Sequence, residues 1–163
     1  MEPMASTVLV GIGATALMDL WSLVRRCLLG VPPPDYGLVG RWIGHMRHGR
    51  FRHQAIGRAA AVRHEAAIGW SAHYLIGIAY AALLPLLWGA AWWHAPTPGP
   101  ALAVGLGTVF APFLLMQPGM GAGFFASRTP RPAMARLHSI ATHAVFGVGL
   151  YLAASALRAV AAA

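Results

Sequence analysis

An all-α membrane bundle of four spans is the fold this sequence predicts, on three observations. Apolar residues make up 58% of the chain and charged residues only 10%, whereas a soluble domain carries about 25% charged residues. Mean hydropathy is +0.59. The apolar residues gather into four stretches, of which 4–24, 69–88 and 137–157 are long enough to cross a hydrocarbon core about 30 Å thick. The stretch 101–117 is shorter, entered by the turn-forming run Pro96-Thr97-Pro98-Gly99-Pro100 and carrying Pro112, which predicts a kink with Thr108 satisfying the freed carbonyl. At 163 residues these four spans form one domain, residues 1–163.

The first span is expected to stay in the membrane. Its leader holds Glu2 and no base, and Arg25-Arg26 follows the apolar run, the reverse of a cleaved signal peptide. Trp88, Trp92 and Trp93 close the second span, where an interfacial aromatic belt is expected.

Arginine orients the spans. All twelve basic residues are arginine, and the net charge is +8. Eight of them (25, 26, 41, 47, 50, 52, 58 and 63) fall in the loop 25–68, and three (128, 131 and 136) between the last two spans. Alternating spans put both loops on one face, which the positive-inside rule makes cytoplasmic. Both termini are then expected outside. The same charge suits anionic lipid headgroups, with Arg41, Trp42, Arg50, Arg52 and Arg58 as the contact surface. No aromatic-basic motif accompanies it, so nucleic acid is not an expected partner. The single Cys27 excludes an intrachain disulfide and a cysteine metal site.

The loop 25–68 carries structure of its own. Pro32-Pro33-Pro34 stops the first span. Leu38, Val39, Trp42, Ile43 and Met46 then recur at helical spacing opposite Arg41, His45 and Arg47, which predicts an amphipathic interfacial helix. A second basic helix is expected over 52–64, with Arg52 and Arg63 able to pair with Asp35 or Glu65. His45, His48, His53 and His64 crowd this loop, but its cationic surroundings oppose metal binding and favour a solvated basic surface.

Polar residues inside the spans are the site candidates, because ionisable groups in a bilayer are costly and usually face the bundle interior. They are Asp19, His73, His143 and Gln117. Counted at about 1.5 Å per residue, each lies roughly 9–16 Å from an inner-side charge, hence in the inner half. Small or polar stripes flank three of them: Gly11, Thr15 and Ser22 near Asp19; Gly69, Gly77 and Tyr80 near His73; Ser139, Gly147 and Tyr151 near His143. Such stripes let helices approach closely, with hydroxyls bonding across.

Two imidazoles and a carboxylate can ligate a metal ion, and that reading of Asp19, His73 and His143 leads among the site readings. Haem held between the two histidines stands behind it. A proton relay in a small transporter working as a homo-oligomer is an alternative. So is a structural polar network in a lipid-binding or scaffold protein. A binding protein for a metal or small ligand is expected over an enzyme. Gln117-Pro118-Gly119-Met120-Gly121-Ala122-Gly123 reads as a flexible helix exit, since it lacks a phosphate-loop ending.

Several strings carry a resemblance. They are Asp35-Tyr36-Gly37-Leu38-Val39-Gly40-Arg41-Trp42-Ile43-Gly44-His45, Gly49-Arg50-Phe51-Arg52-His53, Gly69-Trp70 with His73-Tyr74, Met116-Gln117-Pro118-Gly119, Ala126-Ser127-Arg128-Thr129-Pro130, Thr142-His143 and Phe146-Gly147. Together they resemble the bacterial membrane family called domain of unknown function 2938, over residues 11–151. The resemblance implies a small multi-pass protein of the bacterial inner membrane, so that the outside termini are expected to be periplasmic, and it supplies no activity.

Overall fold

The computed structural model describes residues 3–162; Glu2 lies outside the described residues. Every regular element among them is helical: α1 (Pro3–Leu29), α2 (Tyr36–Met46), α3 (Glu65–Ala81), α4 (Leu83–Trp88), α5 (Pro98–Gly107), α6 (Gln117–Met120) and α7 (Pro132–Ala162). Four stretches are long and apolar enough to cross a membrane: Met4–Leu29, Glu65–Trp88, Pro98–Met120 and Pro132–Ala162. They match the four expected spans and extend them. Large apolar side chains such as Leu20, Leu75, Leu86, Leu115 and Leu152 point outward, more than half exposed. Outward leucine on every span is what a lipid-facing surface requires, and would be a liability in water.

The chain forms two compact units. Unit 1 takes Met1–Pro33, Tyr74–Thr108 and Ala141–Ala163; unit 2 takes Pro34–His73 and Val109–Ile140. Unit 1 is built around Val10, Ala14, Ala81, Leu84, Trp92, Ala101, Val104, Phe146, Leu150 and Ala154. Small residues set its helix spacing. A Cβ on Gly11 would lie 2.6 Å from the Ile78 backbone, and one on Gly105 would lie 2.5 Å from Gly147. The expected small-residue stripes therefore do the close packing. Their hydroxyls act differently from expectation: Thr15 Oγ1 donates to Gly11 O at 2.7 Å and Ser22 Oγ to Met18 O at 3.2 Å, each back onto α1. A hydroxyl that can reach its own i−4 carbonyl is satisfied without a neighbour. Trp92 also departs from the aromatic belt, being only 6% exposed within the core, whereas Trp88 is exposed.

Unit 2 holds nine of the eleven arginines assigned to the two basic loops, while Arg25 and Arg26 lie on α1 in unit 1. Asp35 caps α2 by accepting from Gly37 N at 2.9 Å. The α2 and α3 backbones meet at Gly40 and Gly69: a Cβ on Gly69 would overlap the Tyr36 carbonyl oxygen and lie 2.6 Å from its carbon. Residues 52–64 do not form the expected second helix. A single 3-10 turn, Ile56–Arg58, is the only regular piece there, since this segment spends its carbonyls on side-chain donors elsewhere in the unit. The span is interrupted around Pro112, where α5 has already ended at Gly107. Pro112 opens a π turn over Pro112–Met116, in which Gln117 N reaches back to Pro112 O, while Thr108 Oγ1 donates to Gly105 O at 2.7 Å.

Candidate functional site

Three of the four polar residues expected within the spans, Asp19, His143 and His73, each take a different partner. In unit 1, Asp19 Oδ2 accepts from the Tyr74 phenol at 3.0 Å. In the same unit, His143 Nδ1 lies 3.1 Å from Thr108 Oγ1. Thr108 already donates to Gly105, so its oxygen is left to accept, and the imidazole supplies the hydrogen at Nδ1. His73 belongs to unit 2, where its ring stacks on Tyr36 with centroids 4.1 Å apart and meets Trp70 edge-on at 5.9 Å. Tyr36 and Trp70 complete this aromatic triangle at 4.6 Å. Among the described residues, no three His, Cys, Asp or Glu side chains come together to hold a metal ion. These contacts describe helix-to-helix polar pairs.

The densest polar network lies where the sequence predicts a solvated surface. His45 is 8% exposed, although helical spacing places it on the outward face of α2. Its Nε2 lies 2.9 Å from Ala60 O and its Nδ1 lies 3.2 Å from His53 Nε2. A carbonyl only accepts, so Nε2 of His45 carries the hydrogen, and its Nδ1 accepts from His53. His53 N in turn donates to Gly119 O at 2.8 Å, and the Trp42 indole packs on Gly119 while donating to Phe51 O at 2.9 Å. Gly121, at φ +100, closes on Gln54 O, a conformation and an approach that only glycine permits. The exit 117–123 is thus a docked turn instead of a flexible one.

Arg41 anchors the same network. It grips Glu65 with both ends of the guanidinium, Nε to Oε2 at 2.9 Å and Nη2 to Oε1 at 2.6 Å. Its Nη1 reaches Ala59 O at 3.2 Å and Gly57 O at 3.4 Å. The carboxylate beside it raises the Arg41 pKa further above its ordinary value. Glu65 therefore pairs with Arg41, not with Arg52 or Arg63, and also accepts from Val62 N at 2.9 Å. Two of the five expected headgroup residues, Arg41 and Trp42, are committed to holding the unit together. Arg50, Arg52 and Arg58 remain exposed.

Two buried acceptors stand on this network without a partner: Gln117 Oε1 and His53 Nδ1. The His53 nitrogen is an acceptor because the opposite nitrogen donates to His45. A buried unsatisfied polar atom costs about 1–3 kcal/mol. Nearby, Phe125 at φ 51 and Ala126 at φ 57 occupy the left-handed region in succession, locked by Arg136 Nε to Phe125 O at 2.8 Å and Thr129 Oγ1 to Ala126 O at 2.8 Å. Strained backbone persists only where its surroundings over-determine it. Of these features, only Gln117 stands out as a site residue from sequence. The rest depend on which carbonyl each side chain meets, which spacing does not encode.

The architecture defines a class: an all-helical chain with four helices able to span a membrane and a hydrogen-bonded unit formed from its basic loops. The family model described as protein of unknown function (DUF2938) matches residues 8–157, and the chain belongs to that family. Neither a curated protein nor a solved structure gives a significant match.

Proposed function

We propose that this chain is a multi-pass protein of the bacterial inner membrane that binds a small polar ligand, rich in hydrogen-bond donors, on unit 2. Arginine asymmetry supports a cytoplasmic location for that unit, with Arg50, Arg52 and Arg58 facing anionic headgroups. One observation carries the ligand reading. Among the described residues of unit 2, the buried side-chain atoms that lack a partner are two acceptors, Gln117 Oε1 and His53 Nδ1, and both attach to the segment 117–121. An amine, ammonium or polyol supplies the donors they lack. The aromatic faces of Tyr36, Trp70 and His73 add a surface suited to a cation or a flat ring.

Native mass spectrometry of the detergent-purified protein tests this, with added ammonium, primary amines and polyols as probes. A retained or added small molecule is expected in the wild type and is lost in Gln117→Leu and His53→Phe. Absence of any bound species, together with a Gln117→Leu variant that is simply more stable, overturns the reading. A retained transition metal would return the choice to metal binding.

Proton-coupled transport by a homo-oligomer is the second reading, favoured by the pairs Asp19–Tyr74 and His143–Thr108. Each ends a titratable group on a hydroxyl that can both donate and accept. Proteoliposome flux indifferent to a pH gradient and unchanged by Asp19→Asn counts against it.

A further inference from the structure

Two exposed aromatic rings flank the junction at which the basic loops of unit 2 meet. Residues 53–54 join the segment 119–121 through His53 N and Gly119 O at 2.8 Å and through the closure of Gly121 on Gln54 O. Phe51 lies two residues before His53, and Phe124 three residues after Gly121. Phe51 is 59% exposed and Phe124 51%, whereas the neighbouring Phe125 packs on the buried Phe113, ring centroids 5.2 Å apart. The Phe51 carbonyl accepts from the Trp42 indole, which pins the backbone under an exposed ring.

The charge around these rings has one sign. Arg50, Arg52 and Arg58 from the first loop and Arg128 and Arg131 from the second are all exposed. The sequence holds no Asp or Glu between Asp35 and Glu65, nor any after Glu65, and Glu65 is itself paired with Arg41. Position adds a further constraint. The apolar stretch Pro98–Met120 ends four residues before Phe124, and Pro132–Ala162 begins directly after Arg131. A short loop joining two spans has both of its ends at the bilayer surface, and the docked residues 53–54 are held there with it.

From this placement we propose that the two loops form one docking surface for an anionic leaflet, with the Phe51 and Phe124 rings entering the headgroup–acyl boundary between arginines that hold lipid phosphates. The assignment rests on the reading of the chain as a membrane-spanning protein. To the headgroup contact of Arg50, Arg52 and Arg58 it adds an apolar anchor and a second loop. Guanidinium forks match phosphate oxygens, and aromatic rings interleaved with basic residues suit the interfacial zone. A soluble acidic partner would answer the charge alone; a lipid surface answers the charge, the rings and their position at the end of a span.

The test uses the full chain in lipid nanodiscs, with the exposed Cys27 replaced (Cys27→Ser) and one new cysteine carrying an environment-sensitive fluorophore. Phe51→Cys and Phe124→Cys report the two rings, and Leu152→Cys, outward on the last span, reports the bilayer interior. In discs containing phosphatidylglycerol, emission at 51 and 124 should shift to the blue and the probes should be shielded from a neutral aqueous quencher. Both effects should shrink in phosphatidylcholine alone. Arg52→Gln should lower the ratio of shielded to accessible probe about fivefold, the effect of one arginine at an anionic surface, and should do so at 124 as well as at 51. Accessible probes at 51 and 124 beside a shielded probe at 152 overturn the docking surface, leave the membrane reading intact and turn the loops toward a soluble acidic partner. An accessible probe at 152 removes both. Equal shielding in the two lipids overturns the anionic occupant, and shielding at 124 indifferent to Arg52→Gln overturns the single surface.

Discussion

His45 sits between Ala60 and His53, with Nε2 at 2.9 Å from the carbonyl and Nδ1 at 3.2 Å from the neighbouring ring. A proton added to His53 lands on Nδ1, which is buried with no acceptor in reach.

Acidification should therefore loosen unit 2. Burial, more than the nearby charges of His45 and Arg50, holds the His53 pKa below its ordinary 6.5, against an opposing effect of the backbone contact with Gly119. The folded state then binds fewer protons than the unfolded one, so its stability is full above pH 6.5 and declines as pH falls below that value. Hydrogen exchange at the His53 amide, which is bonded to Gly119 O, should accelerate between about pH 6.5 and 5 beyond the intrinsic pH effect. His53→Gln should flatten the profile. An unchanged profile in that variant would show that another group titrates.

The Arg41–Glu65 fork should not tolerate a point charge. Arg41→Lys keeps the charge and loses the second hydrogen bond and the contacts to Ala59 and Gly57, so the melting temperature should fall. Glu65→Gln should lower it too, and the double variant should lose less than the sum of the two. Additive losses in that thermal cycle would mean the residues act independently.

Gly69 should be the least replaceable glycine of the α2–α3 crossing. Gly69→Ala places a methyl group on the Tyr36 carbonyl, and overpacking of this kind costs about 1–3 kcal/mol or more. Gly57→Ala is the control, since nothing lies within 4 Å of its added Cβ. Detergent melting curves should separate the two variants clearly; similar curves would refute the close approach.

Tyr74→Phe removes the hydroxyl that donates to Asp19 and keeps the ring. The expected loss is about 1 kcal/mol, the usual size of one hydrogen bond. Thermal unfolding of Tyr74→Phe alone and combined with Asp19→Asn would show coupling if the pair interacts.

How much of the molecule is legible in its sequence differs between particular residues. The spans are readable because an apolar run long enough to cross a bilayer rarely occurs in a chain that stays in water. The packing of Gly11 and Gly147 is readable because small residues one or two turns from a polar one mark a contact face. The partner of Asp19 is not. Counting along helices fixes a residue's height and leaves its direction around the axis open, so Tyr74 and either histidine are equal on that measure. His45 defeats the pattern for a different reason. Helical amphipathicity assumes an apolar partner, but the face of α2 that packs inward meets backbone carbonyls, which need donors. Residues 52–64 carry no hydrophobic period that survives folding; their shape comes from Arg41, His45 and Glu65.

The π turn at Pro112–Met116 has a consequence for everything after it. A wider turn accommodates one residue more than an α-helical path, and one residue corresponds to about 100° of rotation. Gln117 and Gly119 therefore point where they do because of an insertion-like phase shift upstream. Deleting one residue from 112–116 would remove the wide turn and swing Gly119 off the Trp42 indole and away from His53 N. In this chain a length change of one position acts as a rotation, and would dismantle the network without altering any side chain in it.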